Sequence, residues 1–474
     1  MKYYLTNAIP YVNAKPHIGH ALEFIQSDTI ARYHKLRGNK TLLLCGADEN
    51  ALKNVQAAEE AGVDVQTLVD KNAKLFEDLA KKLNIHFDVF QKSSSEKHHL
   101  SSQKLWELCA ASGDIYKKSY KGLYCVGCEV FYTTEELDKD GECFEHPGKK
   151  LEEVKEENYF FKLSKYQDKL IQIIEADKYQ IVPAFRKNEV LSFIKSGLQD
   201  FSISRTNKRA KNWGVPVPGD DSQRIYVWFD ALNIYQSGIG FGWDDEQYKK
   251  WWPADLHVIG KGIIRFHSAY WPAILLSAGL QLPKKLFIHE YFTVNGQKMS
   301  KTLGNVYDPN IAIEKFGIDA LRYFCLAKIS PFQDGDFSEE KLHEAYNADL
   351  ANGLGNLVSR VAKLCESHNV IASETKQSIK EFDPKIIKPL EEYKFNEALA
   401  HIWGEITEAD KKINQEKPWE LSGEKLEKVL VDLVRRIQHI AFNLQPFLPQ
   451  TSDKILKQFS GIIKSAPALF PRLH

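Results

Sequence analysis

The sequence predicts an α/β protein: a doubly wound parallel sheet, interrupted by an insertion and followed by an α-helical bundle. Three observations predict it. Short apolar strands alternate with amphipathic helices over residues 1–114 and again over 164–292, the rhythm of βαβ units. Between 115 and 163 that rhythm breaks into short aromatic pieces, cysteines and mixed charge. After Phe337 strand signals largely vanish and helical spacing takes over. The 474 residues are too many for one simple core, and 43% hydrophobic with 12% aromatic residues supply material for several. Lys+Arg and Asp+Glu both number 63, so composition points to no polyanionic partner and any basic surface is local. No apolar run reaches membrane-spanning length and the chain opens directly on a strand, so neither a membrane span nor a signal peptide is expected. Seven cysteines in so long a chain do not suggest a disulfide scaffold, and a reducing, cytoplasmic setting is expected.

Lys2 to Ala8 is rich in aromatic and β-branched residues and short enough for a buried strand. Ile18, Leu22, Ile25, Thr29, Tyr33 and Leu36 then recur at helical spacing until Gly38. The stretch from Pro10 to His20 is therefore a strand-to-helix turn. It sets His17 and His20 three apart at a helix start, where neighbouring imidazoles face one point beside free backbone N–H groups and the positive end of the dipole. That is a seat for phosphate, and Gly19 lets a ligand approach the backbone. Thr41 to Cys45 is a second strand ending at Gly46-Ala47-Asp48-Glu49, and helices follow over 51–61, 65–83 and 96–111. In such a sheet ligands sit at the carboxyl ends of the strands. No Gly-x-Gly-x-x-Gly occurs at the first turn, so the usual dinucleotide fingerprint is absent. After the insertion, helices resume over 165–176 and 186–197, and 213–219 is a rigid turn. The segments 224–228 and 256–260 read as strands completing the sheet. Beyond Phe337, residues 339–367, 384–412 and 424–444 read as amphipathic helices, with breaks at Pro384, Pro389, Pro418 and Pro446.

Two stretches carry further chemistry. Cys125-x-x-Cys128 and, after fourteen residues, Cys143-x-x-His146 form two close pairs of soft or borderline ligands. They suit one tetrahedral Zn²⁺ with no open position, a structural site, although a nucleic-acid-binding zinc ribbon would use the same motif. Cys45, Cys109, Cys325 and Cys365 read as core or near-surface thiols. Lys298-Met299-Ser300-Lys301-Thr302 follows Glu290 to Gln297 in what reads as a mobile basic loop.

His17-Ile18-Gly19-His20 together with Lys298 to Thr302 resembles the two signatures of class I aminoacyl-tRNA synthetases. From Tyr3 to about Arg472 the chain is similar to the methionyl-tRNA synthetase family. The resemblance implies a Rossmann-like catalytic domain in two halves, 1–114 and 164–292, around a zinc-binding connective insertion at 115–163 with a one-zinc knuckle. A KMSKS-type loop and stem-contact region at 293–337 and a helical anticodon-binding domain at 338–474 would follow. The activity implied is that of a methionine--tRNA ligase. Methionine and ATP form methionyl-adenylate and pyrophosphate, and methionine then passes to the 3′ end of initiator or elongator methionine tRNA. A carboxylate is already a nucleophile at neutral pH, so the first step needs positioning and charge neutralisation rather than a base. The family's catalytic positions match His17, His20, Lys298 and Lys301. With Gly19 and Ser300 these would bind ATP, accompanied by Mg²⁺, and the lysine loop would close and reopen over it. The family's methionine pocket matches Ala8, Ile9, Tyr11, Trp228, Tyr235, Ile263, Phe266 and His267, a setting that suits a thioether, with Asp48 as the carboxylate for the ammonium group. Arg205 matches an arginine near that site. Asn356, Arg360 and Trp419 match anticodon-reading positions: an amide and a planar fork on one helix face, and a ring after Pro418 on which a base can stack.

The sequence also departs from the family. Asp48-Glu49-Asn50-Ala51 stands where Asp-Glu-His-Gly is frequent, and Gly260-Lys261-Gly262-Ile263 where Gly-Lys-Asp-Ile is found, which removes one acidic ligand contact. Thr302 replaces a frequent serine and keeps its hydroxyl. Many bacterial members carry a C-terminal tRNA-binding, dimerising extension; this chain ends soon after the bundle, and a monomer is expected. Other readings lack support at specific points. Another class I synthetase is opposed by the Trp228/Tyr235 pair, the one-zinc insertion and the absence of a large editing insertion. A small-molecule nucleotidyltransferase needs no helical terminal domain. A zinc-bearing RNA-binding protein without catalysis has no use for intact His and Lys signatures.

Overall fold

The computed structural model describes residues 1–125, 130–132, 137–143, 150–299, 304–372 and 381–473, except for the side chains of Val130, Phe131 and Lys298. The chain folds as two compact units. The first comprises Met1–Pro16, Lys40–Ala80 and His86–His289; the second comprises His17–Asn39, Lys81–Ile85 and Glu290–His474.

The first unit is built on a six-stranded, wholly parallel sheet. Its strands are β1 (Lys2–Asn7), β2 (Lys40–Ala47), β3 (Val89–Lys92), β4 (Gln180–Val182), β5 (Leu256–Gly260) and β6 (Lys285–His289), in the spatial order β3-β2-β1-β5-β6-β4. Buried runs such as Leu42–Ala47 and Leu256–Gly260 are what a parallel sheet requires of its central strands. From β1 the chain winds outward to β2 and β3; on the other side it forms the edge strand β4 first and then returns to β5, beside β1, and to β6 between them. The order therefore reverses at β1/β5, and the crevice of a doubly wound fold opens at the carboxyl ends of those strands.

Residues 224–228 do not join this sheet as expected. Asp220–Ile225 pairs antiparallel with Ser204–Thr206 and Pro216–Val217 in a separate small sheet, and Val227–Leu232 is a helix buried on every side. A short, fully buried apolar run has no periodicity to separate strand from helix. The insertion is an antiparallel ribbon of Ile115–Cys125 on Glu152–Phe161, flanked by Val130–Tyr132 and Phe201–Ser202. Its mixed charges are cross-strand pairs: Lys117 reaches Glu157 at 3.7 Å, and Lys121 bonds Glu153.

The second unit contains the helix Ile18–Leu36, a small sheet of Phe292–Val294, Gln297–Lys298 and Gly335–Phe337, and a run of helices to Gln458. Glu339 to Ser367 is continuous, with a π-helical stretch over Tyr346–Gly355. The expected helix 384–412 is two, Pro384–Glu391 and Phe395–Glu416. They part at Tyr393, whose φ of 61° lies in the left-handed region, and not at Pro389. A last helix, Pro449–Gln458, was not legible in the apolar spacing and begins on proline at its first turn. The fully buried Arg322 pairs with Asp28 at 2.8 Å and donates to the carbonyls of Phe447 (2.7 Å) and Pro446 (3.1 Å), tying the first helix of this unit to its last turn. Among the described residues no helix is long and apolar enough to cross a membrane.

Candidate active site

In the first unit the predicted pocket residues gather where the strand order reverses. Ala8, Ile9 and Tyr11 leave β1, Asp48 follows β2, and Ile263, Phe266 and His267 follow β5. Tyr11 and Asp48 form an isolated parallel bridge, and the Asp48 N–H donates to the Pro10 carbonyl at 2.9 Å. The Tyr11 ring meets Trp228 edge-on at 6.3 Å, and Trp228 lies flat against Phe266 at 3.6 Å and 4°. The backbone of Asp48 thus lies beside that of Tyr11, whose ring meets aromatic rings from segments more than 200 residues away in sequence.

The imidazoles behind these rings are neutral. His267 Nδ1–H donates to the Ile263 carbonyl at 3.0 Å, so its Nε2 accepts from the Tyr235 hydroxyl at 2.8 Å. His257 Nε2 accepts from the Trp271 indole N–H at 3.3 Å, so its Nδ1–H donates to Thr6 Oγ1 at 2.6 Å. Burial pushes the pKa of His267 down to about 4 and that of His257 well below the usual range, the latter aided by His267. The aromatic cluster is therefore uncharged on this side at neutral pH, which suits an apolar, polarizable side chain.

The loop after β2 is held by a network that the sequence reading missed. Asn50 donates from Nδ2 to Asp230 Oδ2 at 2.7 Å and to the Ser93 carbonyl at 2.8 Å. Asp230 Oδ1 also accepts from His98 Nε2 at 2.7 Å and Ser102 Oγ at 2.8 Å, and His98 Nδ1 contacts Ser237 Oγ at 2.7 Å. Burial pushes the Asp230 carboxyl up, but the His98 ring and the bonds from His98 and Asn50 outweigh it and hold the group below the usual carboxylate range. Asn54 Nδ2 fixes the Asp48 carbonyl at 2.9 Å, and the Trp213 indole fixes that of Glu49 at 2.8 Å. Asp230 sits two residues after Trp228 in one short helix, so the Asn50–Asp230 bond joins the Asp48 loop to the aromatic slot. An aspartate inside an otherwise apolar run was the available signal, because a buried charge demands partners. Gly262 lies in the turn Lys261–Ile263 directly after β5 and brings no side chain there. Arg205 is buried, bonded to Ser202 Oγ (2.9 Å) and the Ser204 carbonyl (2.7 Å), and stacked 4.1 Å over the Tyr226 ring.

In the second unit His17 and His20 open the helix Ile18–Leu36 as a reciprocal cap. His17 Nδ1 accepts from the Gly19 N–H at 3.1 Å, and His20 Nδ1 accepts from the His17 N–H at 3.1 Å. The ring centroids lie 3.9 Å apart with the planes tilted by 36°. This corrects the expected phosphate seat. The first backbone N–H groups are taken by the imidazoles, by the Tyr307 carbonyl (Ile18 N, 3.0 Å) and by the His17 carbonyl (His20 N, 2.9 Å). With both Nδ1 atoms accepting, each neutral ring carries its proton on Nε2, the donor it can offer an anion. Burial, and the nearby His17, push the His20 pKa well below the usual range. The space at Gly19 is not open either: a Cβ there would stand 3.0 Å from His17 Cε1 and 3.2 Å from Met299 Cε, so the two signatures touch at this glycine. Lys298 ends the strand Gln297–Lys298; Ser300, Lys301 and Thr302 lie outside the described residues.

Of the four predicted zinc ligands, Cys128 and His146 lie outside the described residues. Cys125 and Cys143 are buried and in no disulfide, and the Cys143 thiol lies 3.4 Å from the Tyr132 hydroxyl. Both thiols belong to the buried core of the first unit together with Tyr132, and two buried soft donors fit a soft cation. The other cysteines expected as thiols, Cys45, Cys109, Cys325 and Cys365, are all buried. In the helical region Trp419 is 57% exposed, Asn356 is exposed at the start of the helix Asn356–Ser367, and Arg360 is half-buried. The Arg360 fork is engaged by Asp410 and by Asn414 Oδ1 (2.9 Å), a contact between helices.

The chain is similar to known proteins over nearly its whole length. Residues 3–362 match the family model described as tRNA synthetases class I (M). A methionine--tRNA ligase of Thermotoga maritima is 42% identical over 97% of this chain and 75% of its own length; one of Brucella suis is 40% identical over 98% and 94%. The crystal structure of Mycobacterium tuberculosis methionyl-tRNA synthetase bound by methionyl-adenylate superposes with a TM-score of 0.92 at 36% identity, covering 99% of this chain and all of that one.

Proposed function

The chain belongs to the class I tRNA synthetases of the methionine type, and on that premise we propose that it is a methionine--tRNA ligase. It joins methionine to ATP, releasing pyrophosphate, and passes the methionyl group to methionine tRNA. The single observation that carries the substrate assignment is the neutral aromatic slot at the strand-order reversal, with Trp228 flat on Phe266, edge-on to Tyr11, and Asp48 bridged to Tyr11. Its residues divide the work of holding methionine. Asp48 takes the ammonium group. Tyr11, Trp228 and Phe266, with Ala8, Ile9 and Ile263, take the thioether, and Tyr235 and His267 close the slot without charge.

In the first step a methionine carboxylate oxygen forms a bond to the α-phosphorus of ATP, and the bond to the pyrophosphate oxygen breaks. No proton is removed from the nucleophile. The barrier is lowered by position and by donors aimed at the growing phosphate charge. His17 and His20 supply Nε2–H donors whose direction is set by their Nδ1 caps, and Lys298 and Lys301 with Ser300 supply positive charge and a hydroxyl. Mg²⁺ accompanies ATP in this family and neutralises its phosphates. In the second step a hydroxyl of the terminal tRNA ribose attacks the activated carbonyl, and AMP leaves.

Zn²⁺ held by Cys125, Cys128, Cys143 and His146 would keep the insertion folded and supply no open coordination position. Residues 1–114 and 164–292 form the catalytic part in this reading, and 338–474 read the anticodon through Asn356, Arg360 and Trp419. The reaction belongs to the cytoplasm, and the enzyme acts as a monomer. Pyrophosphate exchange into ATP with a panel of amino acids tests the reading. Methionine alone is expected to support rapid exchange, and a preference for leucine or cysteine at saturation would refute it.

A further inference from the structure

Four side chains with no part in this chemistry converge in the second unit. Asp383 caps the helix Pro384–Glu391, His401 and Glu405 stand one turn apart on Phe395–Glu416, and His439 projects from Gly423–Leu444. Asp383 Oδ2 lies 3.3 Å from His401 Nε2 and 3.7 Å from His439 Nε2. Glu405 Oε1 lies 3.9 Å from His401 Nε2 and 3.7 Å from His439 Nε2. Each carboxylate oxygen thus faces both imidazoles, and one ligand atom each from Asp383, Glu405 and His439 lies within 4.8 Å of the other two. Zinc bonds of about 2.0–2.1 Å give a tetrahedron with edges of about 3.3–3.4 Å, and the four oxygen–nitrogen separations lie within a few tenths of an ångström of that edge.

The surroundings favour a cation. Asp383 Oδ1 is committed to the Lys385 N–H at 2.7 Å, which turns Oδ2 toward the imidazoles. Glu405 Oε2 is buried with no hydrogen-bond partner, and among the described residues the two histidines are the only ion-pair partners of either carboxylate. Asn443 Nδ2 donates to His439 Nε2 at 3.1 Å and to the His439 carbonyl at 2.9 Å, and Asn443 Oδ1 accepts from the Asp383 N–H at 3.1 Å. The first of these bonds engages the His439 Nε2 lone pair, so a metal would take the place of that one contact while the amide keeps its other two. Several acceptors aimed at one point are stable only with a proton or a cation between them.

We propose that Asp383, His401, Glu405 and His439 bind one divalent cation of the zinc class, a structural staple joining three helices. Two imidazoles and two carboxylates close a four-coordinate site and balance its charge. The site is separate from the cysteine set of the insertion, and the test keeps the two apart. Metal-stripped full-length protein is titrated with Zn²⁺ and with Co²⁺, alongside Glu405→Gln and His439→Gln. Wild type is expected to bind one Zn²⁺ more per chain than either variant, whatever the insertion binds. At that extra site Co²⁺ should give tetrahedral visible bands without thiolate charge transfer, and loss of one ligand should weaken binding by about 100-fold or more. Zn²⁺ should raise the melting temperature of wild type more than that of the variants. Equal zinc content in all three proteins, or a Co²⁺ spectrum of wild type with only thiolate-type bands or none, would overturn the proposal. The Co²⁺ arm needs no variant to fold.

Discussion

Replacing Asn50 by alanine is expected to weaken methionine binding and lower stability together. The amide donates two buried bonds, 2.7 Å to Asp230 Oδ2 and 2.8 Å to the Ser93 carbonyl. A bond to a buried carboxylate contributes about 1.5–3 kcal/mol and a neutral one about 0.5–1.5 kcal/mol. Asp230 retains His98 and Ser102, so its charge is not stranded, and the lower part of the sum, about 2–3 kcal/mol, applies. For a unit of this size that corresponds to a fall in melting temperature of about 5 °C or more. Because the bond joins the Asp48 loop to the helix of Trp228, its loss lets the ammonium anchor drift from the slot. If about 1.4 kcal/mol of the loss falls on the bound substrate, KM for methionine rises about tenfold. KM for ATP should stay within about twofold, since the tether holds only the Asp48 loop and the helix of Trp228. Asn50→His restores a donor and should recover part of both effects. The assay is pyrophosphate exchange against methionine concentration, with thermal melting of the same preparations. A lower melting temperature with unchanged KM for methionine would make Asn50 a packing residue only. No change in either would refute the tether.

Three further outcomes follow. Gly19→Ala places a Cβ 3.0 Å from the His17 ring and pushes it aside by a few tenths of an ångström, so the exchange rate should fall, by less than the loss of about 10²-fold expected of His20→Ala, with little change in melting temperature; wild-type exchange would show that the ring position is immaterial. His267, held down to about 4, binds its proton more readily when unfolded, so its contribution to stability is complete above about pH 6.5 and is lost as pH falls toward 4, about 3 kcal/mol in all. Glu405, raised to about 7 by burial and Asp383, and Glu49, raised by burial, titrate in the opposite sense over part of that window. The readout is therefore the difference between wild type and His267→Gln in melting temperature from pH 7 to 5: wild type should lose more, and parallel curves would contradict the neutral buried tautomer. Trp419→Ala, at a ring 57% exposed, should leave melting and methionine-dependent exchange near wild type while charging of methionine tRNA falls about ten- to hundredfold. An equal fall with an anticodon-altered tRNA would remove Trp419 from anticodon reading.

Local relations along the chain determined much of this protein. Alternation and helical spacing within ten or so residues marked β1, β2, β5 and the helix Ile18–Leu36, and the spacing of His17 and His20 put both imidazoles at its first turn. The pairing of those histidines with Lys298 to Thr302, and the identities of Tyr11, Trp228 and Phe266, were enough to name a chemistry. Tertiary structure decided the rest, because it rests on contacts between segments whose separation leaves no periodic trace. Strand order placed Tyr11, Asp48 and Phe266 at one reversal point. Packing on every side made Val227–Leu232 a helix where its composition equally suited a strand. Hydrogen bonds from distant partners set the tautomers of His257 and His267, and with them the neutrality of the slot. The need to satisfy a buried charge drew Asn50 and His98 to Asp230 across more than a hundred residues, and no local pattern encodes such a partner.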